Sequence, residues 1–171
     1  MSLLPRSLPR RLATDGYVGD IEEGQSGVLQ MRVLSAPKLA RYTPVVDEVL
    51  ITISTPGRRT APQRAGWIEV LALVFDDTGS LAASRPDARS ICIEDARRIV
   101  AFVSRHVRRR RLVLSCDAGI SRSRSVAAAV ARLLNLPYRW TVLNPVVYDL
   151  LSHVGEESDL PASPTHDPPR G

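Results

Sequence analysis

Residues 112–123 read LVLSCDAGISRS, and this stretch decides how the chain folds. Three apolar residues, 112–114, are typical of a buried β-strand, and the alanine-rich segment 126–134 that follows the loop is strongly helix-forming. A loop between a buried strand and a helix N-terminus directs several backbone N–H groups toward one place, where the helix dipole adds positive potential. The stretch therefore predicts an anion-binding loop with the thiol of Cys116 at its mouth.

The rest of the chain alternates strand and helix patterns around this loop. Each predicted strand is nearly all apolar, which is typical of a parallel sheet that is covered on both faces. We therefore expect an α/β fold of three layers, with a central, mostly parallel sheet and helices on both faces. Ligands of such sheets bind beyond the carboxyl ends of the strands, which is where Cys116 lies. The other predicted elements are strands at 33–34, 49–53 and 68–75, a helical turn at 37–42, and helices at 93–107 and 144–153.

The 171 residues are expected to form one domain with two irregular ends. Residues 1–30 hold scattered prolines, glycines and charges without apolar periodicity, which predicts a flexible leader. Residues 31–154 are expected to form the domain itself. Residues 155–171 contain four prolines and several acidic residues, which predicts a disordered tail.

Composition limits the class of protein. Lys38 is the only lysine among 23 lysine and arginine residues, and the net charge is +5. Arginine suits phosphate recognition because its planar fork donates two parallel hydrogen bonds. No apolar run has the length of a membrane span or the position of a secretory signal. Two cysteines are too few for a disulfide scaffold, so we expect a cytoplasmic protein without membrane partners, in which Cys116 is a free thiol and Cys92 is buried.

Cys116 and Arg122 are six positions apart, with Gly119 between them and Ser123 directly after the arginine. This pattern, Cys-x5-Arg-Ser between a strand and a helix, resembles the signature loop of the cysteine-dependent protein tyrosine and dual-specificity phosphatases. The resemblance covers about residues 33–154, and only the loop is specific. It implies a protein tyrosine phosphatase-like fold and hydrolysis of phosphomonoesters through a phosphocysteine intermediate. It implies no metal and no other cofactor.

The residue types in the loop have physical reasons. A helix N-terminus and converging N–H groups stabilise a thiolate, which makes Cys116 a nucleophile. Gly119 permits a positive φ and close approach of the backbone to an anion. Arg122 is able to hold two phosphoryl oxygens, and a cation at a helix start is otherwise unfavourable unless an anion lies beside it. The predicted phosphate-binding residues are Asp117, Ala118, Gly119, Ile120, Ser121 and Arg122.

The resemblance also implies a hydroxyl and an acid. In the family, the hydroxyl after the arginine hydrogen-bonds the cysteine sulfur and helps it to leave the phosphocysteine; Ser123 stands at that position. The acid that protonates the leaving oxygen is an aspartate that follows the preceding sheet strand. We expect this acid to be Asp77, which follows the predicted strand at 68–75. Asp76 is the close alternative and Asp87 the third, and a solvated turn is the plainer interpretation of either of the first two.

One position departs from the family, and two other functions stay open. A histidine usually precedes the cysteine and supports its thiolate, whereas this chain has Ser115, whose hydroxyl is able to donate a hydrogen bond. A phosphate-binding module with little or no activity is one alternative, and an RNA 5′-phosphatase, favoured by the basic pI, is the other.

A phosphorylated protein or peptide is the expected substrate. The loop has no lysine and carries Asp117, so a highly anionic inositol phosphate is a less natural ligand. Nucleic acid is the less favoured partner, because the four arginines at 108–111 fit a solvated helix end that the helix dipole stabilises. The oligomeric state is left open.

Overall fold

The computed structural model describes residues 29–58, 60, 63–77, 86–108, 111–137 and 141–158. These residues form a mixture of strands and helices, as the sequence predicts. In chain order they are β1 Gln30–Ser35, α1 Ala36–Arg41, β2 Glu48–Ser54, β3 Val70–Val74, α2 Ile93–His106, β4 Arg111–Cys116, α3 Arg122–Leu133 and α4 Pro145–Glu156.

The strands form one parallel sheet in the order β1-β4-β2-β3. In the register of β4, Cys116 is aligned with Ser35 of β1 on one side and with Ile53 of β2 on the other. Every residue of β2 is buried, which explains the apolar run at residues 49–51 of this central strand. Because the strands run in the same direction, their carboxyl ends meet at one edge of the sheet, and Cys116 lies at that edge. The predicted parallel sheet is confirmed.

Helices cover the two faces of the sheet unequally. The larger core, which includes Ile51 and Phe102, is formed where α2, α3 and α4 pack on one face. The other face is covered by α1, whose Leu39 is fully buried and packs in a smaller cluster with Val113, with Trp67 at its margin. Burial of a leucine side chain contributes about 2 kcal/mol. The predicted three-layer α/β fold is confirmed, with one of its outer layers reduced to a short helix.

The described secondary structure extends slightly beyond the first and last elements that the sequence predicts. Leu29 is buried and Gln30 begins β1, so the fold includes the last two residues of the predicted leader. The last helix runs past its predicted end to Glu156. A Cβ on Gly155 would lie 2.3 Å from a methyl carbon of Leu133, so glycine permits the close approach of α3 and α4. Residues 1–28 of the predicted leader and 159–171 of the predicted tail lie outside the described residues.

The edge of the sheet away from Cys116 holds a buried ion pair. Glu48 at the start of β2 is fully buried and accepts a hydrogen bond from Nη1 of Arg111 at 2.8 Å. The hydroxyl of Tyr42 donates to the same carboxylate at 2.7 Å. Arg111 is therefore part of the fold, and the interpretation of this arginine as a solvated helix end is wrong; residues 109 and 110 lie outside the described residues. Within the part of the chain described, no helix is both long and apolar enough to cross a membrane.

Candidate active site

The loop that joins β4 to α3 is anchored to the end of β1. The N–H of Ala36 donates to the carbonyl oxygen of Asp117 at 3.2 Å. Gly119 has a φ of +68°, and a Cβ there would lie 2.6 Å from the backbone nitrogen of Ser35. The positive φ predicted for Gly119 is confirmed, and its contact with β1 adds a second reason why only glycine fits.

The thiol of Cys116 lies at the floor of this loop, with 3% of the residue exposed. Its Sγ accepts a hydrogen bond from the N–H of Gly119 at 3.3 Å and lies 3.1 Å from Oγ of Ser123. Ser123 belongs to the first turn of α3, which carries no acidic residue. The sulfur therefore contacts two neutral groups at the N-terminal end of α3. Cys116 is a free thiol, as predicted, and Cys92 is also free.

Ser115 gives this thiol no hydrogen bond. The residue is 1% exposed, and its Oγ is buried without a hydrogen-bond partner among the described residues. The hydrogen bond that its hydroxyl was expected to offer is therefore not made. The polar contacts of the sulfur come instead from the far side of the loop, through Gly119 and Ser123.

Arg122 begins α3, and its guanidinium group is buried against two protein acceptors. Nη1 donates to the carbonyl oxygen of Phe75 at 2.7 Å, and Nη2 donates to Oδ2 of Asp117 at 2.8 Å. Nε has no partner in the described part of the chain. The sequence predicts that an anion lies beside this arginine, and in the structure that anion is an aspartate of the loop itself.

Asp117 is held on the opposite side by the segment that follows β2. Oγ1 of Thr55 donates to Oδ2 of Asp117 at 2.5 Å. Burial by itself raises the pKa of the Asp117 carboxyl, but hydrogen bonds from Thr55 and Arg122, with the nearby charge of Arg58, outweigh it and hold that pKa below its usual value. Asp117 is therefore an anion at neutral pH, and the predicted phosphate-binding loop contains its own negative charge.

Asp77 reaches the loop from the end of β3. Its Oδ1 accepts hydrogen bonds from Oγ of Ser121 and from Nδ2 of Asn144, each at 2.7 Å. Ser121 is the residue before α3, and its side chain makes no capping bond to the helix. The structure thus brings together Asp77 and Ser121, which the sequence places at the same site.

The two alternative acids lie elsewhere. Asp76 is buried, and its Oδ2 accepts a hydrogen bond from the N–H of Arg89 at 3.0 Å. Asp87 lies beside the turn after β2, where its Oδ2 would be 3.4 Å from a Cβ built on Gly57. The Asp77 carboxylate, in contrast, is bound to the Cys116 loop through the hydrogen bond from Ser121.

Asn144 belongs to this site, although the sequence assigns it only to a helix start. Its Oδ1 accepts from the N–H of Val147 at 3.1 Å, which confirms the predicted N-cap of α4. Its own N–H donates to Oγ of Ser125 in α3 at 3.0 Å, and its Nδ2 binds Asp77. The Asn-Pro pair is a visible signal for the cap. The contact with Asp77 has no sequence signal, because it depends on how α4 packs against α3.

Apolar side chains are exposed around this polar network. Ile120, next to Ser121, is 48% exposed, and Ala118 is also exposed. Leu143 and Val146, which flank Asn144 in the chain, are 48% and 47% exposed. We call Ile120, Leu143 and Val146 the apolar rim. Among the described residues, no group of three or more His, Cys, Asp or Glu side chains is arranged to hold a metal ion.

Comparison with known proteins gives little. No family model matches the chain, and no curated protein matches it. Among solved structures, the crystal structure of Tk-PTP in the active form is similar over 82% of this chain and 85% of that chain, with 16% identity and a TM-score of 0.40. The case for a function therefore rests on the geometry of the residues described above.

Proposed function

We propose that the protein is a phosphomonoester hydrolase of the cysteine-dependent phosphatase type, acting through a phosphocysteine intermediate. One observation carries the proposal: the Cys116 thiol, hydrogen-bonded to the N–H of Gly119, lies in a loop that also holds a buried arginine and contacts Asp77. A nucleophile, an anion-binding cation and an acid are the three groups that such hydrolysis requires.

In the first step, the Cys116 thiolate attacks phosphorus. The S–P bond forms while the P–O bond to the leaving group breaks. The guanidinium of Arg122 and the N–H groups of residues 117–122 bind the phosphoryl oxygens and stabilise the charge of the transition state. Asp77 gives its proton to the leaving oxygen, so the alcohol or phenol departs neutral.

In the second step, water attacks the phosphocysteine. Asp77, now a carboxylate, accepts a proton from that water, and the P–S bond breaks. The Ser123 hydroxyl, 3.1 Å from Sγ, donates a hydrogen bond to the departing sulfur, which restores the thiolate. The products are inorganic phosphate and the starting enzyme.

The surroundings of the loop favour a phosphorylated protein, and within that class an aryl phosphate such as phosphotyrosine. The apolar rim offers exposed hydrocarbon surface beside the residues that contact Asp77, and an aromatic leaving group buries such surface well. Arg111 is paired with the buried Glu48 at the far edge of the sheet, so this arginine adds nothing to an RNA-binding surface at the loop. A phosphate-binding module without turnover is the second candidate, favoured by the unpartnered hydroxyl of Ser115.

Hydrolysis of p-nitrophenyl phosphate tests the proposal. Wild type and Cys92→Ser are expected to release phosphate at similar rates, and Cys116→Ser at a rate lower by at least about a thousandfold. Rapid acid quenching of Ser123→Ala is expected to trap one phosphoryl group on the peptide that contains Cys116, seen by mass spectrometry. Equal activity of wild type and Cys116→Ser would refute the nucleophile. Phosphate binding by both proteins without turnover would establish the second candidate instead.

Substrate class needs a separate comparison. Phosphotyrosine, phosphoserine and phosphothreonine peptides and a 5′-triphosphorylated RNA are offered at equal concentration, and kcat/KM is measured for each. We expect the phosphotyrosine peptide to give the highest value. An Ile120→Ser variant is expected to reduce that preference, because it removes apolar surface from the rim without touching Asp77 or Cys116.

A further inference from the structure

Arg122 has a counterion before any ligand arrives. Its side chain is 6% exposed and that of Asp117 is 26% exposed, and Nη2 lies 2.8 Å from Oδ2. A buried guanidinium is costly unless an anion neutralises it. Asp117 therefore neutralises Arg122 in the unliganded protein, as a bound phosphoryl group would do in the complex.

Hydrogen bonds from two different segments hold the Asp117 carboxylate in place. The Oδ2 atom that faces Arg122 also accepts the hydrogen bond from Thr55, so the carboxylate is held between the start of α3 and the segment after β2. The remaining acceptor of Arg122 is the carbonyl oxygen of Phe75. The buried Nε, which has no partner in the part of the chain described, is left as a donor for a further anion.

We infer that Asp117 is an internal competitor of phosphate: its carboxylate and a phosphoryl group exchange as the counterion of Arg122. Two anions at one guanidinium repel each other, so a phosphoryl group binds Arg122 only when it displaces the Asp117 carboxylate. The displaced carboxylate keeps its hydrogen bond from Thr55 and the attraction of Arg58. The inference rests on the phosphate site of the proposed function but not on its turnover.

This exchange has a consequence for the reaction. Because the same carboxylate opposes substrate and product, it lowers the affinity of the site for free phosphate and thereby limits inhibition by the product. Asp117 is in this sense a determinant of affinity, and it also keeps the empty site stable by neutralising Arg122.

Asp117→Asn separates this role from a structural one. Asparagine keeps the shape and the ability to accept from Thr55 but removes the charge. Thermal unfolding at increasing concentrations of inorganic phosphate is the measurement. Without phosphate, the variant is expected to unfold at a lower temperature than wild type, because Arg122 loses its counterion. Phosphate is expected to raise that temperature more steeply in the variant, with a Kd lower by about tenfold or more.

The matched control is Asp47→Asn. Asp47 precedes β2 at the opposite edge of the sheet and has a φ of +71°, which asparagine also adopts readily. The substitution makes the same change in net charge away from the loop, so its Kd for phosphate is expected to match wild type. Asp117→Ala, which also removes the contact with Thr55, is a second test variant and is expected to tighten phosphate binding in the same direction.

The outcomes distinguish the inference from the proposed function. Unchanged or weaker phosphate binding in both Asp117 variants would overturn the inference, since it would make Asp117 a residue that only positions Arg122. Active hydrolysis with that result would leave the proposed function standing. Tighter phosphate binding in variants of a protein that hydrolyses nothing would support the inference and refute the turnover. Absence of phosphate binding in wild type and variants would overturn both.

Discussion

The sulfur atoms of Cys116 and Cys92 each contact a residue in the first turn of a helix, but the contacting groups differ. Cys92 is the N-cap of α2, and its Sγ lies 3.3 Å from Oδ2 of Asp95, which also accepts the N–H of Cys92 at 3.2 Å. Cys116 instead contacts the N–H of Gly119 and the hydroxyl of Ser123. The sulfur of Cys92 thus contacts a carboxylate and, at 3.5 Å, Nη2 of Arg89, whereas the sulfur of Cys116 contacts two neutral groups.

The helix dipole is common to both cysteines, so it does not distinguish them. What differs is the first turn of the helix: α2 carries Glu94 and Asp95 there, and α3 carries no acidic residue. Exposure does not favour Cys116 either, because Cys92 is half-buried rather than buried as the sequence predicted. We expect Cys116 to be the more reactive thiol, because Asp95 contacts the sulfur of Cys92 and the first turn of α3 holds no such carboxylate.

The largest expected difference between the two regions concerns their carboxylates. Asp77→Asn is expected to lower kcat for an alkyl phosphate by about a hundredfold or more, because a poor leaving group needs the proton. Asp95→Asn, beside Cys92, is expected to leave kcat within about twofold of wild type, since that carboxylate takes no part in the proposed reaction. Initial rates at saturating substrate measure both. A greater loss of kcat in Asp76→Asn than in Asp77→Asn would identify Asp76, rather than Asp77, as the acid.

A smaller difference is expected in the chemical reactivity of the two thiols. Iodoacetate is an anion and iodoacetamide is neutral, so their relative rates report the charge around each sulfur. Cys116 is expected to prefer iodoacetate and Cys92 to prefer iodoacetamide, with the two preferences differing by more than about tenfold. Peptide mass spectrometry over time measures the rates. Inorganic phosphate is expected to protect Cys116 and to leave Cys92 unprotected; equal protection of both would show that phosphate does not bind at the Cys116 loop specifically.

The fold and the loop could be predicted from the sequence because their signals are local. Strands that are buried on both faces are rich in apolar residues, as β2 is at residues 49–51 and 53, and the glycine at 119 indicates a positive φ in the loop. The order β1-β4-β2-β3 was not predicted, since pairing between distant strands leaves no mark in either strand alone. Which loops lie next to each other depends on that strand order, so it was not predicted either.

The charged residues of the site show most clearly what could not be predicted from the sequence. Asp117 was predicted as a phosphate-binding residue, and its pairing with Arg122 depends on the path of the loop and on Thr55, far away in the chain. Glu48 and Arg111 likewise pair because the register of β2 on β4 places them side by side. In each case, the sequence shows the residue types, and only tertiary packing selects the partner.

The smallest expected effect comes from a variant that makes the surroundings of Cys92 more similar to those of Cys116. Asp95→Asn removes the carboxylate from the first turn of α2 and breaks its ion pair with Arg89, at 2.8 Å. We expect the free energy of unfolding to fall by about 1 kcal/mol, measured by urea denaturation, because the helix N-terminus loses a favourable charge. In the same variant, the rate of reaction of Cys92 with iodoacetate is expected to rise relative to its rate with iodoacetamide.

Glu94→Gln is the matched control. It makes the same charge change in that turn, but Glu94 is exposed and pairs weakly with Arg97 at 3.8 Å. If Glu94→Gln shifted the preference of Cys92 as much as Asp95→Asn does, the general charge of the helix start, rather than contact with the sulfur, would set the difference between the two cysteines.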